Sequence, residues 1–353
     1  MKVPYNDLSR IHEPLRTSFH ESLDVVLNTC GFVGDTTFAD TFKGYTNSDY
    51  CITCNSGTDA LYIAVKALEL KPGSRIAVPA ISYAATAMAV VNAGHVPVFI
   101  DVDPDTGLML VDTVKGVDCV IPVHLYGQCV DVHTLLKLGV PIIEDCAQAH
   151  GALINGKHVG TFGVIGCFSF YPGKNMGALG DGGACITNNE ELATKMKRYA
   201  SLGSTKYNRY EHVSDGINSR MDGIQGLFLK EKLKHLDDWT NQRITLADTY
   251  QKDIDFPKRS QVGKDVYHVF YTLQTDRENY IKYMNDRGVQ TGIHYPYPLS
   301  ELECFHEYHI LCKNAIEFCK KCVSLPLFPG MSDEEVDFTL NCHRDYLLSQ
   351  KQP

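Results

Sequence analysis

A chain of 353 residues is too long for one small core and suits one large α/β unit with a smaller one beside it. Its 44% hydrophobic and 21% charged residues are ordinary for a soluble globular protein, and a net charge of −9 without a basic run argues against nucleic acid as the main partner. The longest apolar stretch, around residues 84–91, is too short to cross a bilayer, and the opening residues 1–7 carry no apolar signal core, so a cytoplasmic protein with no membrane partner is expected.

Leu8, Ile11, Leu15, Phe19, Leu23 and Val26 recur at helical spacing, which predicts one amphipathic helix over 8–29. Gly31 and Gly34 end that pattern in a loop, and 38–45 reads as a second short helix. A β-type run, Tyr50 to Cys54, ends in Asn55-Ser56-Gly57-Thr58. Ala60, Leu61, Ala64, Val65 and Leu68 then mark a helix. A strand feeding a Ser-Gly-Thr turn at a helix N-terminus suits an anion, because backbone N–H groups and the helix dipole face it. Plain capping by Ser56 or Thr58 explains the same residues equally well.

Strands are expected at 75–79, 96–101, 119–122 and 140–143, with an alanine-rich helix running to Ala93. Such alternation indicates a mostly parallel sheet covered by helices on both faces, with functional residues at the carboxyl ends of strands. Thr58, Tyr83, Asp145 and Lys174 all fall at or just beyond such ends. Asp145 follows an apolar strand, where a carboxylate is costly unless it meets a cation or donors. The other reading makes it the N-cap of a following turn. Gln148 and His150 are close enough to face the same cavity.

The segment 168–183 holds one lysine, Lys174, among glycines 173, 177, 180, 182 and 183. Apolar runs at 164–170 and 184–187 make it a strand, a tight loop and a strand. The glycines permit close backbone approach and positive φ. An amine presented there can form a Schiff base, although a surface lysine in a loop is the plainer reading.

A helix is expected over 190–200 and a long one within 220–250, preceded by the polar Asn218-Ser219-Arg220. Beyond residues 255–257 the pattern changes: a strand at 267–273, a helix at 277–287, a strand at 289–294 and two more helices. The last of these opens with a Ser332-x-x-Glu335 capping box. We therefore expect a large α/β unit over 1–250 and a smaller α+β unit over 251–353. Thirteen cysteines without a secretory signal suggest reduced thiols. Cys304, His306, His309, Cys312, Cys319 and Cys322 include one zinc-like spacing. They fall largely in an expected helix, 312–323, rather than on a knuckle, so buried thiols and no metal are expected.

A phosphate site, an aromatic ring, a buried carboxylate and an isolated lysine on one sheet edge meet the needs of pyridoxal 5'-phosphate. Its aldehyde needs an amine, its pyridine nitrogen a carboxylate, its ring a flat partner and its phosphate N–H and O–H donors. No G-x-G-x-x-G follows the first strand, which argues against a nicotinamide reductase.

Six ordered segments carry a resemblance: 55–61 (NSGTDAL), 78–86 (VPAISYAAT), 121–128 (IPVHLYGQ), 143–152 (IEDCAQAHGA), 168–178 (FSFYPGKNMGA) and 218–222 (NSRMD). Together they resemble the DegT/DnrJ/EryC1/StrS aminotransferases, which act on nucleotide-linked keto sugars, and the match runs from about residue 3 to 340. The resemblance implies an aspartate-aminotransferase-like subunit (pyridoxal phosphate fold type I) working as a homodimer with shared active sites. It implies L-glutamate as amino donor and a nucleotide-linked keto hexose, often 6-deoxy, with the keto group at C3 or C4. By position, Lys174 would form the internal aldimine and shuttle the proton. Asp145 would pair with the pyridine nitrogen, Gln148 lie by the ring hydroxyl and Tyr83 stack on the ring. Gly57, Thr58 and Ser169 would hold the phosphate, joined by Asn218 from the neighbouring subunit, and His294 and Tyr295 would lie near the sugar. Two positions depart from the family's habit: Ser300 stands where many members have His, and Tyr83 where Phe is usual. Dehydratases of the family carry His at the lysine position, so Lys174 argues against that activity. Together with Asp145 and Ser169 it also argues against a purely regulatory member.

Overall fold

Apolar runs punctuated by Gly, Pro, Asn and Ser become strands, and stripes at helical spacing become helices. The computed structural model describes residues 1–34, 37–205, 207–208, 210–253 and 256–350. The N-terminal stripe forms α1 (Ser9–His12) and α2 (Arg16–Thr29), and α3 (Thr37–Thr46) follows. The single helix expected over 8–29 is interrupted by a 3-10 turn at Glu13–Leu15. Pro14 lacks an N–H and its ring crowds the preceding turn, which accounts for the interruption.

The large sheet is built from β1 (Tyr50–Cys54), β2 (Arg75–Pro79), β3 (Val96–Ile100), β4 (Cys119–Val120) and β5 (Ile143–Asp145). Helices α4 (Gly57–Ala67), α5 (Ala85–Asn92) and α6 (Val132–Leu136) connect them. A small hairpin, β6 (Leu153–Ile154) with β7 (Lys157–His158), precedes β8 (Ile165–Ser169) and β9 (Gly183–Thr187). Strand β2 pairs in parallel with β3 and β4, and β5 in parallel with β8. Parallel bridges Val120–Ile142 and Val123–Asp145 join the two groups. Strand β9 runs against both β8 and β1. Every residue of β8 and β9 is buried, as a strand covered on both faces requires.

Beyond the sheet come α7 (Glu190–Tyr199), α8 (Gly223–Leu233) and α9 (Leu236–Asp253). The one long helix expected within 220–250 is therefore two. The chain tightens after Leu233, where Lys234 and His235 donate their N–H groups to carbonyls only three residues back. The C-terminal part forms β10 (Phe270–Leu273), α10 (Arg277–Asp286), α11 (Lys313–Lys321), β11 (Cys322–Leu325) and α12 (Asp333–Ser349). The expected strand at 289–294 is reduced to single bridges at Val289 and Gly292. The helix expected to reach residue 323 stops at Lys321, and Cys322 opens a strand paired with β10. Ser332 and Glu335 close the capping box reciprocally.

Among the described residues two large apolar cores result, with a small third cluster of Leu15, Phe19 and Phe228. The larger gathers β1–β5, β8, β9 and α4, and also takes Val269, Tyr271 and Phe318 from the C-terminal part. The smaller joins Val3, Ala247 and Tyr250 to Phe270, Tyr280, Leu325 and Leu340. All thirteen cysteines are free thiols. Among the described residues, the group whose donor atoms converge is His124, Glu144 and Cys146, not any set from 304–322. No described helix is long and apolar enough to cross a membrane.

Candidate active site

The carboxyl ends of β1, β5 and β8 meet at one cavity. Ser56 caps α4, its hydroxyl oxygen accepting the Asp59 N–H at 3.1 Å. That satisfies one end group of the helix and leaves the N–H groups of Gly57 and Thr58 without helical acceptors. Gly57 is pressed so closely on β8 that a Cβ there would overlap Ser169 Cβ. A side chain at 57 would therefore drive the helix N-terminus away from the Ser169 hydroxyl. Capping by Ser56 is therefore compatible with an N-terminus open to an anion, because the two uses fall on different residues.

Asp145 ends β5, only 3% exposed. Its Oδ2 accepts the Thr86 hydroxyl at 2.9 Å and its Oδ1 accepts the Ala147 N–H at 3.1 Å. Thr86 in turn shares a 2.8 Å hydrogen bond with Ser82. No helix starts directly after Asp145, but its Oδ1 does cap the turn at 147–148 through the Ala147 N–H, while its Oδ2 faces Thr86. Burial raises the Asp145 pKa, while the Ala147 N–H, Thr86 and the Lys174 charge oppose the rise.

Lys174 sits on the loop between β8 and β9. Burial pulls its amine down to about 8, against the attraction of Asp145. None of the five loop glycines has the expected positive φ. They serve close approach instead: a Cβ at Gly177 would strike the Pro172 carbonyl, and one at Gly183 the Ser56 carbonyl. The loop closes through Lys174 N–H to Tyr171 O at 2.9 Å and Ala178 N–H to Phe170 O at 2.7 Å. Lys232, fully buried on α8, donates to the Gly177 carbonyl and contacts His12 Nε2 at 2.9 Å. Nothing in the sequence around 232 signals that support.

Gln148 is held at both ends of its amide: Oε1 accepts the Tyr126 N–H at 2.6 Å and Nε2 donates to Tyr295 Oη at 3.0 Å. Tyr83 is 62% exposed, its ring centroid 6.4 Å from that of Tyr295. His294 Nδ1 lies 2.8 Å from Ser324 Oγ, and the His294 carbonyl accepts from Tyr126 Oη. Burial lowers the His294 imidazole to about 4, helped by the Lys174 charge.

Gly57, Thr58, Tyr83, Asp145, Gln148, Ser169, Lys174, His294 and Tyr295 line one cavity of about 450 Å³. Asn218 does not line it. It is exposed, its carbonyl accepts Asn55 Nδ2 at 3.2 Å, and its Oδ1 accepts Arg220 Nε at 3.2 Å. It does not cap α8 either, since Asp222 is the N-cap residue. Ser300 is buried and lies outside the lining. His150, expected to face the cavity, instead packs on Phe168 and Phe170, its ring centroid 5.5 Å from each. The cavity also takes Ser82, Thr86, Tyr171 and Asp181, which sequence reasoning missed.

A model of the DegT/DnrJ/EryC1/StrS aminotransferase family matches residues 28–342. A UDP-N-acetyl-3-dehydro-α-D-glucosamine 3-aminotransferase from Acidithiobacillus ferrooxidans is 35% identical, the match covering 95% of each chain. The crystal structure of DesV from S. venezuelae in complex with a ketimine intermediate superposes with a TM-score of 0.93 at 30% identity, over 98% of each chain. NtdA from Bacillus subtilis, solved with bound cofactor PMP, gives 0.89 at 28% identity, over 98% of this chain and 85% of its own. This chain thus shares the fold of those enzymes across nearly its full length.

Proposed function

The chain belongs to the DegT/DnrJ/EryC1/StrS aminotransferase family and is a nucleotide-sugar aminotransferase, and on that premise we propose its substrates and the work of its residues. The amino acceptor is a nucleotide-linked keto hexose with the keto group at C3, the position named for the Acidithiobacillus relative. The donor is L-glutamate. The observation that carries the reading is Lys174, an amine of lowered pKa in a cavity shared with Asp145 and the free N-terminus of α4.

The cofactor implied by the family and by the PMP-bound neighbour is pyridoxal phosphate. The donor set fits it: one amine, one buried carboxylate, and N–H and O–H groups gathered at Gly57, Thr58 and Ser169. When bound, its ring supplies a sink for the electron pair released as a C–H bond breaks. In this proposal Lys174 Nζ would hold the group and, as a free amine, would move a proton between the two carbons. Asp145 keeps the ring nitrogen protonated, and Thr86 and the Ala147 N–H hold that carboxylate in place. Gln148, already fixed by Tyr126 and Tyr295, would serve the ring hydroxyl, and Tyr83 would offer its ring as a flat partner. His294 and Tyr295 border the space for the sugar.

The subunits form a homodimer in the cytoplasm, with Asn218 completing its partner's phosphate site. Its exposure and its place outside its own cavity support that reading, and thirteen free thiols suit a reducing compartment.

The test begins with the absorbance spectrum. The purified protein should show visible absorption from a lysine-bound cofactor, and L-glutamate should bleach it. A panel of nucleotide-linked 3-keto and 4-keto hexoses, read by product mass, then identifies the acceptor. A protein that aminates only 4-keto sugars overturns the C3 assignment, and one that L-glutamate leaves coloured overturns the donor.

A further inference from the structure

Helix α8 runs beside the loop that carries Lys174 and holds it at two points. Gln225 Oε1 accepts the Leu179 N–H at 2.9 Å, and Lys232 Nζ donates to the Gly177 carbonyl. Gln225 and Lys232 are seven residues apart, about two turns, and so stand on one face of the helix. Gly177 is pressed inward on its own loop, since a Cβ there would strike the Pro172 carbonyl. The other flank of the loop is tied to the C-terminal part: Asn175, next to Lys174, donates its Nδ2 to the Val266 carbonyl at 3.0 Å.

Lys232 is fully buried and lines no part of the cavity described above. Its charge is costly there. Among the described residues no carboxylate lies within ion-pair distance of it, and burial pulls the amine down to about 8. Arg259, also buried, is by contrast paired, its Nη2 2.6 Å from Asp265 Oδ2. The second partner of Lys232 is His12 Nε2, at 2.9 Å. Burial and the Lys232 charge lower that imidazole to about 4, so at neutral pH it is uncharged and Nε2 accepts. Leu15 and Phe19, packed on Phe228 of α8, bring the His12 segment to this point. A methionine would fill the same space without burying a charge, so packing alone does not call for lysine at 232. What the lysine adds is a donor that reaches the Gly177 carbonyl.

We propose that Lys232 is a positioning residue for transamination: by holding the Gly177 carbonyl from α8 it fixes the loop of Lys174, and so keeps that amine over the cavity while it moves the proton. The proposal rests on the aminotransferase reading above. It acts through Lys174 alone, because Lys232 touches neither the cavity nor the groups that line it.

The test has two arms. The first is hydrogen exchange of the cofactor-free protein. In Lys232→Met, peptides covering 171–183 should exchange at least ~10-fold faster, while those of α4 and β5 keep their wild-type rates. Unchanged exchange in 171–183 overturns the proposal, and so does an equal acceleration in α4 and β5, which would mark general loosening. The second arm is a single turnover of the holoenzyme, followed by bleaching with saturating L-glutamate and expressed per bound cofactor. The rate should fall at least ~10-fold in Lys232→Met, with the half-saturating glutamate concentration unchanged within ~2-fold. In Lys174→Ala, with ethylamine supplied as a substitute base, adding Lys232→Met should change the rate by less than ~2-fold. A rate at the wild-type level in the single variant overturns the proposal, as does an equal slowing in the Lys174→Ala background. If Lys232→Met does not fold, Lys232→Gln takes its place: it is uncharged and too short to reach Gly177, and the same pattern is expected. Wild-type exchange and rate in Lys232→Gln would then overturn the proposal. A wild type that L-glutamate leaves coloured counts against the donor reading instead, and the exchange arm alone then decides whether Lys232 holds the loop.

Discussion

Lys174 is a charged group placed where the fold disfavours charge. Its amine is lowered to about 8 from the ordinary 10.5, so between those values the unfolded chain binds more protons than the folded one. Stability must therefore rise with pH across that window, as the cost of burying the ammonium disappears. From pH 7.5 to 9.5 the contribution is at most about 2 kcal/mol, the side chain being partly open to its cavity. Urea unfolding of cofactor-free protein at the two pH values should show this rise, and Lys174→Ala should lose that share of it. The same variant should keep its fold and lose transamination altogether; turnover near the wild-type rate would remove the central assignment. Asp145 makes a complementary prediction. Asp145→Asn should retain cofactor, since Thr86 and Ala147 still hold the side chain, but kcat should fall by about 100-fold or more. An amide cannot keep a pyridine nitrogen protonated, and steady-state kinetics beside the cofactor absorbance separates loss of chemistry from loss of binding.

At the scale of elements, the site depends on how closely α4, β8 and the Lys174 loop approach one another. Gly57 against Ser169 and Gly183 against the Ser56 carbonyl leave no room for a Cβ. Gly57→Ala should therefore push the α4 N-terminus off β8. We expect at least ~10-fold weaker pyridoxal phosphate binding, read by absorbance titration, and a stability loss of about 1–3 kcal/mol, read by urea unfolding. Cofactor affinity at the wild-type level would show that the turn has slack. Strand β5 is anchored from behind in the same manner. Glu144 accepts His124 Nε2 at 3.0 Å and the N–H groups of Gly160, Phe162 and Gly163 at 2.7–2.8 Å. Burial alone would raise its pKa, but His124 and these N–H groups outweigh it and hold the carboxyl low. The neighbouring Asp145 is thus presented by a strand end that these bonds to Glu144 anchor.

The whole molecule raises the question of whose site Asn218 serves. Its segment lies against the β1–α4 turn of its own subunit through Asn55, yet its side chain is exposed and outside that subunit's cavity. Mixing a Lys174→Ala chain with an Asn218→Asp chain decides the matter. Shared sites put both defects in one site of the heterodimer and none in the other, so random re-pairing should restore about a quarter of the wild-type activity. If Asn218 serves its own subunit, every site keeps one defect and mixing restores nothing. Absence of recovery, with heterodimers demonstrated and both parents inactive, would sink the shared site.

Local patterns in the sequence determined a good deal of this protein. The alternation of apolar runs and helical stripes specified the mostly parallel sheet, and the isolated Lys174 among glycines marked the loop that borders the cavity. Nine of the ten expected site residues line one cavity: seven end or follow strands of that sheet, whose carboxyl ends open on one edge, and His294 and Tyr295 reach it from the C-terminal part. The tertiary structure decided what depends on partners distant in the chain. Thr86 reaches Asp145 across 59 positions, Gln148 is held by Tyr126 and Tyr295, and Lys232 supports Gly177 from 55 positions away. It also turned His150 into the aromatic core and left the Nε of Arg243 without a hydrogen-bond partner. A residue's spacing pattern reports which face of its own element is covered. Which donor or charge stands opposite depends on how elements dock, and that is settled by close packing of the whole chain rather than by any stretch of it.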